Sequence, residues 1–337
     1  MNSFAFVIHP LDPKRDAARK YPRLARITPV PLIHFLSRFW PPLYISHITG
    51  VRSEATGREI EGWFVACPFT ARQALRLPTR TLYTKITHAG RLAQKLGADV
   101  LGLGAFTSVV GDGGVTVAQR LGMPVTTGRS LTVASSVEAL EEGARCRGAG
   151  LESAAVAVVG ATGSIGLACA ELLAPSVGEL ILVGRDASRL AGARALAEYA
   201  GARRVCVSER IERVLGADLV LSTTNSARPI ILPQHLKQNA VVCDVALPPD
   251  VSPRVARERP DVLVIEGGVM DVPGEVDFGF DFGLPPGKAY ACMAETMVLA
   301  LEERYENCSL GRQIRAEQVR EMGRLARVHG FRSSAIC

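Results

Sequence analysis

The sequence predicts an α/β protein: a Rossmann-type doubly wound parallel sheet, an N-terminal α/β domain, and C-terminal helices packing back on it. Three observations carry this. The run Val156-Ala157-Val158-Val159 is short and apolar, as a strand buried on both faces requires. It enters the turn Gly160-Ala161-Thr162-Gly163-Ser164-Ile165-Gly166, an Ala- and Leu-rich helical segment, and a second apolar run over Leu180–Val183, giving a βαβ unit of roughly thirty residues. Apolar runs then recur at 204–208, 218–222, 240–245 and 262–265, completing six strands with helical stretches between them.

The glycine turn has a physical purpose. Gly160 permits the tight turn, Gly163 admits a pyrophosphate to the backbone, and Gly166 lets helix and strand approach closely. The free N–H groups at the helix start and the helix dipole favour the diphosphate. A ligand-free strand-turn-helix is the plainer alternative. After the second strand comes Val183-Gly184-Arg185-Asp186-Ala187-Ser188-Arg189. Arg185, with Arg189 a turn later, suits the 2′-phosphate of NADP through charge-assisted bonds. Asp186 either contacts the ribose of NAD or caps the next helix; NADP(H) is the expected cofactor. The polar tips Thr223-Thr224-Asn225-Ser226 and Glu266-Gly267-Gly268 end strands where the nicotinamide half should lie, or are ordinary turns.

Upstream, Phe4–Ile8 reads as a strand, followed by a proline- and base-rich stretch over 10–43 with an apolar, helix-compatible run at 31–40. Strands at 45–51 and 60–66 flank a polar, glycine-bearing hairpin loop. A helix over Arg80–Leu96 stops at Gly97. The strand 98–103 opens into a small-residue loop with Thr107 and Ser108, at the strand end where ligands bind in open α/β sheets. Pro124–Ser130 is another polar strand-to-helix turn, holding Thr127, Gly128 and Ser130, with Ser130 or Thr132 as a helix cap. Gly148-Ala149-Gly150 marks the boundary, so the expected domains are 1–147 for substrate, 148–272 for NADP, and 273–337 as a loop followed by helices over Lys288–Tyr305 and Arg315–Val328.

Composition narrows the function. The 337 residues are 47% hydrophobic and 21% charged, as in ordinary globular proteins. A net charge of +6 suits acidic partners, yet no aromatic-basic interleaving, finger spacing or basic tail points to nucleic acid. The eight cysteines show no metal-like spacing, so no metal is expected, and their placement in strands and helices fits reduced thiols in the cytoplasm. The opening residues do not resemble a signal peptide, and the glycine turn interrupts the one span-like apolar stretch, so no membrane span is expected.

Cys292 follows a Pro-Pro-Gly loop near a helix start, a position that lowers a thiol's pKa. On position alone, packing and catalysis both remain open. The chain resembles the long-chain acyl-(acyl-carrier-protein) reductases, which form fatty aldehydes. The resemblance rests on Leu103–Ser108, Thr126-Thr127-Gly128, Val156–Gly166, Gly267-Gly268-Val269, Ala291-Cys292 with Ala294-Glu295, Gly311-Arg312 and His329-Gly330-Phe331. Arg129, the Pro-Pro-Gly loop and the 10–43 stretch depart from that family's pattern. The resemblance implies that Cys292 is the acylated nucleophile and NADPH the reductant. The acyl donor would be a thioester of acyl carrier protein or coenzyme A, with an aldehyde-consuming enzyme downstream. Oxyanion donors would come from the N–H groups near Cys292 or from the loops holding Thr107, Ser108, Thr127, Gly128 and Ser130. A shikimate- or amino-acid-type dehydrogenase without covalent catalysis, and a non-catalytic NADPH-binding sensor, are the alternatives.

Overall fold

A computed structural model describes residues 2–10, 14, 23, 28–37, 39–69, 73 and 76–334. Much of the 10–43 stretch lies outside them. The chain forms two compact units: Met1–Gly128 with Val272–Arg312 and Leu325–Phe331, and Arg129–Asp271 with Gln313–Arg324 and Arg332–Cys337.

The first unit is built on a sheet of order β2-β3-β1-β4-β5. Its strands are β1 (Ser3–Ile8), β2 (Leu43–Arg52), β3 (Glu59–Ala66), β4 (Val100–Leu103) and β5 (Val125–Thr126). β1, β3, β4 and β5 run parallel, and β2 closes the edge as the antiparallel partner of β3. Strand alternation divides the apolar residues between two faces. Ala5, Val7, Val65, Leu101 and Leu103 share a core with Leu82, Ile86 and Ala89 of α2 (Thr79–Lys95) and Val117 and Leu121 of α4 (Val115–Leu121). The helix α9 (Ala291–Leu301) also packs against β1, β3 and β4, and all its residues but Cys292 are buried. A helix apolar all round must be enclosed. Its contact with β4 is close, since a Cβ on Gly102 would lie 2.2 Å from Thr296 Oγ1.

Three details differ from expectation. The helix expected over Lys288–Tyr305 is α9 alone; Lys288–Tyr290 is a strand, and positive φ at Glu303 ends the helical run soon after Leu301. The 273–287 segment is held by aromatic packing, with Phe278 and Phe282 against Phe64 at centroid distances of 6.0 and 5.4 Å. Cys146 is disulfide-bonded rather than reduced, while Cys67, Cys169, Cys206, Cys243, Cys292 and Cys308 are free.

The second unit carries β6 (Ala155–Val159), β7 (Glu179–Val183), β8 (Val205–Ser208), β9 (Leu219–Ser222), β10 (Val241–Asp244) and β11 (Leu263–Glu266). Their order is β11-β10-β9-β6-β7-β8, and every pair is parallel. This is the doubly wound arrangement, with its switch point between β6 and β9. Val156 and Val158 face α5 (Arg129–Cys146), α6 (Ser164–Leu173) and α7 (Ala187–Tyr199), while Ala157 and Val159 face the opposite core. Burying each such valine contributes on the order of 1.5–3 kcal/mol. The units divide at Gly128/Arg129 rather than at the expected 147/148, because α5 lays Leu140 and Ala144 into the core beneath β9 and β10. The α10 helix (Ala316–His329), expected to pack back on the first domain, contributes its end from Leu325 to the first unit and its start to the second.

Candidate active site and nucleotide site

The candidate nucleotide site lies at the carboxyl ends of β6 and β9. Gly160 and Ala161 donate their N–H groups to the Val183 carbonyl, and Gly163 N–H donates back to Gly160, folding the turn on itself. Gly160 has φ +84°, where a side chain is strained. A Cβ on Gly166 would stand 2.4 Å from the Gly160 carbonyl oxygen and 2.7 Å from Thr223 Oγ1, so only glycine lets α6 approach the turn. Gly163 precedes α6 without a side-chain cap, leaving the N–H groups around Ser164 and Ile165 without a cap from that residue. A compact backbone cradle at an uncapped helix start fits a dinucleotide diphosphate.

The flanks are equally defined. Asp186 accepts from Arg189 N–H at 3.0 Å, so it caps α7. Arg189 donates from its guanidinium to the Thr162 carbonyl, while Arg185 is exposed with no partner among the described residues. Thr223 donates to Val159 through both N–H and hydroxyl. Thr224 is tied through N–H and hydroxyl to Asp250 at 2.9 and 2.6 Å, and Ser222 donates to the same carboxylate at 2.7 Å. Asp250 is fully buried and organises this wall, a role that its Pro-Pro-Asp sequence does not advertise. Gly267 packs flush on β10, where a Cβ would meet Cys243 Sγ at 2.6 Å; Gly268 follows at φ +73°. Burial pushes the Asp244 carboxyl up to about 6 against the backbone N–H groups of Val251, Ala246 and Asp250, with the Asp250 charge adding to the rise.

The second site belongs to the first unit and is assembled from three distant segments. Cys292 is the second residue of α9. The Thr126–Gly128 turn lies directly on it: a Cβ on Gly128 would fall 2.2 Å from Cys292 Cα and 2.3 Å from its Cβ. One helical turn on, the fully buried Glu295 accepts the Thr126 hydroxyl at 2.5 Å and the Ser309 hydroxyl at 2.7 Å through one oxygen. Thr126 Oγ1 in turn accepts Gly128 N–H at 3.1 Å, and Thr127 donates to the Ser309 carbonyl. Asn307 and Cys308 pair with Val125, fixing the third segment along β5. Glu295 therefore ties the turn, the helix that carries Cys292 and the 307–309 segment together.

This environment reverses one expectation. Burial first, and the Glu295 charge second, push the Cys292 thiol up to about 12. The N–H groups of Cys292 and Met293 act in the expected, lowering direction and are outweighed. Cys292 keeps partial exposure, so solvent moderates the rise. The thiol rests protonated at neutral pH.

The remaining candidates separate. Thr107 and Ser108 lie in a short helix (Phe106–Val109), where their hydroxyls donate to Gly104 and Ala105 carbonyls at 2.7 Å. Their N–H groups serve the same carbonyls. Ser130 is not a cap: α5 begins at Arg129, and Ser130 lies fully buried in its first turn, within the other unit. Gly128 is the candidate brought onto Cys292, while Thr127 beside it commits its hydroxyl to the Ser309 carbonyl.

The fold and these two sites define an oxidoreductase of the NAD(P)-dependent Rossmann class. The Shikimate / quinate 5-dehydrogenase family matches residues 142–266. The long-chain acyl-(acyl-carrier-protein) reductase of Synechococcus elongatus is 30% identical over 316 residues, covering 88% of this chain and 90% of that protein. The chain belongs to that reductase's family. The aminotransferase PigE of a Serratia strain is 35% identical over 285 residues, covering 83% of this chain; the chain spans 33% of PigE. Quinate dehydrogenase from Corynebacterium glutamicum, solved with NAD, aligns at 17% identity and a TM-score of 0.39 over 77% of this chain and 86% of that one. No helix among the described residues is long and apolar enough to cross a membrane. Among those residues no cluster of three or more His, Cys, Asp or Glu could hold a metal.

Proposed function

We propose that the protein reduces a long-chain acyl thioester to a fatty aldehyde, with Cys292 carrying the acyl group and NADPH as reductant. Acyl carrier protein is the proposed donor and coenzyme A the alternative. The observation that carries this reading is the seating of Cys292 at the start of α9 against Gly128, in a chain of the acyl-(acyl-carrier-protein) reductase family.

Cys292 Sγ attacks the thioester carbonyl, the carrier sulfur leaves, and the cysteine proton passes to it. Only the thiolate attacks, so the raised pKa requires the Cys292 proton to leave as the carbonyl is engaged, and that proton ends on the departing carrier sulfur. The N–H groups of Cys292 and Met293, at the start of α9 beside the sulfur, are the proposed oxyanion donors, each good donor contributing about 3–4 kcal/mol. When bound, NADPH supplies the hydride that brings the acyl carbon to the aldehyde level. Cys292 sulfur then departs as the aldehyde carbonyl forms, and takes up a proton. Arg185 and Arg189 are proposed to receive the 2′-phosphate, the glycine turn the diphosphate, and Thr223, Thr224, Gly267 and Gly268 the nicotinamide half. We place the reaction in the cytoplasm, upstream of an aldehyde-consuming enzyme.

Intact mass of the protein mixed with a long-chain acyl thioester, without NADPH, tests this. The wild type should gain one acyl mass and Cys292→Ala none, with aldehyde released on adding NADPH. The family match over 142–266 favours a second reading, a dehydrogenase without a covalent intermediate. Absence of any adduct from a protein that binds NADPH would select it.

A further inference from the structure

The α2 helix carries Arg80, Lys85, His88, Arg91 and Lys95 and not one acidic residue. Arg80, His88, Arg91 and Lys95 are exposed, and none has a partner among the described residues. Lys85, half-buried, donates to the Ser37 carbonyl. Positions 81, 84, 88, 91 and 95 advance by three and four residues, so Thr81, Thr84, His88, Arg91 and Lys95 fall along one face. At a rise of 1.5 Å per residue, the cations from 80 to 95 extend over about 22 Å.

At the N-terminal half of α2 this face borders a cavity of about 600 Å³. Phe39, Trp40, Pro41 and Pro68 supply its apolar side, and Arg80, Lys85 and His88 its polar side. Pro68 stands two residues beyond β3, so the cavity opens at the carboxyl edge of the parallel strands. The Thr126–Gly128 turn against Cys292 ends β5 at that same edge. Across the order β3-β1-β4-β5, three strand spacings give a lateral offset of about 14 Å, and because α2 and α9 cover opposite faces of the sheet the path from the cavity to Cys292 also rounds its carboxyl edge.

We propose that the basic face of α2, with the cavity beside its N-terminal half, docks the acidic acyl carrier protein. This rests on the function proposed above. The chemistry is complementary: a straight line of unneutralised cations meets an acidic helix, and a concave apolar site receives the pantetheine arm where it leaves the carrier. A bilayer would instead require a convex apolar face, and here the cations border a hollow. Charge paired in this way speeds encounter and is weakened by salt.

The test compares wild type with R80E/R91E/K95E, substitutions far from the nucleophile. Anisotropy of a fluorescein-labelled bacterial holo-acyl carrier protein measures docking directly. Acylation of Cys292 by the carrier thioester and by the matching acyl-N-acetylcysteamine measures its consequence. The variant should bind the carrier roughly tenfold or more weakly and be acylated by it correspondingly slowly, with a flattened salt dependence. Its acylation by the small thioester should be unchanged, which also reports an intact fold. Equal carrier binding by both proteins would overturn the proposal, as would equal loss with both thioesters. So would wild-type binding to phosphatidylcholine–phosphatidylglycerol vesicles that the variant loses while carrier acylation persists. Failure of wild type to be acylated by either thioester would strike the proposed function instead, with carrier anisotropy still judging the surface.

Discussion

The nucleotide turn and the Cys292 site are both backbone-tight, but they are built differently. In the turn, seven consecutive residues fold on themselves, and the closest obstruction to a Cβ on Gly166 comes from Gly160, six residues away. At Cys292 the obstruction to Gly128 comes from a residue 164 positions later in the chain, held by a buried carboxylate that joins a third segment. A local site is written in a local motif. A site made by long-range packing exists only once the fold is complete.

Gly128→Ala should break this contrast hardest. It places a Cβ within 2.2 Å of Cys292 backbone at φ +69°, where neither side can yield cheaply. We expect a loss of about 2–4 kcal/mol in stability, read by denaturant unfolding, and acylation slowed by about a hundredfold or more. Gly166→Ala should act on the other site alone. NADPH Kd should rise by roughly ten- to a hundredfold, about 1.4–2.8 kcal/mol by titration calorimetry, while NADPH-free acylation of Cys292 persists. Loss of both functions from either variant would erase the distinction.

Arg185→Ala should lower the preference for NADPH over NADH by about tenfold, measured as a ratio of kcat/KM values. Arg189→Ala should cost less, since that guanidinium already serves the Thr162 carbonyl. The smallest effect concerns Glu295→Gln. A carboxylate disfavours the neighbouring thiolate and raises its pKa, so removing the charge lowers it. The pH profile of Cys292 alkylation by iodoacetamide should move to lower pH, with the rate at pH 8 rising roughly three- to tenfold. A profile moving upward would show that loosening of the 126–128 turn outweighs the charge.

The six parallel strands and the glycine turn were legible because periodicity and local glycine geometry are properties of neighbouring residues. Asp186 left two readings open in sequence, and its bond to Arg189 N–H settles it as a cap. Cys292 was legible as a position, but not its ionisation: burial and Glu295 come from packing, whereas the helix start that argued for a low pKa is visible in the chain. Thr107, Ser108 and Ser130 looked available because small polar residues after strands often serve ligands. Their hydroxyls or helix positions are committed to local structure. The linking role of Glu295, named only within a motif, and that of Asp250 were not legible because a buried carboxylate is recognised by the donors that fold onto it, and those lie far away in sequence.

The discontinuity of the first unit bears on the order in which the molecule can assemble. Most of the nucleotide-binding unit is one continuous stretch, Arg129–Asp271, and its six parallel strands can pair as soon as that stretch has left the ribosome. The β1–β5 sheet begins earlier in synthesis yet lacks the helix that covers its Phe6 face until α9 emerges more than 160 residues later. It must also wait for His329, whose ring meets Ser53 at 2.8 Å and Glu302 at 2.6 Å. Such distant contacts slow folding. The older half of the nascent chain is thus the later to mature, and Cys292 arrives with the segment that completes it.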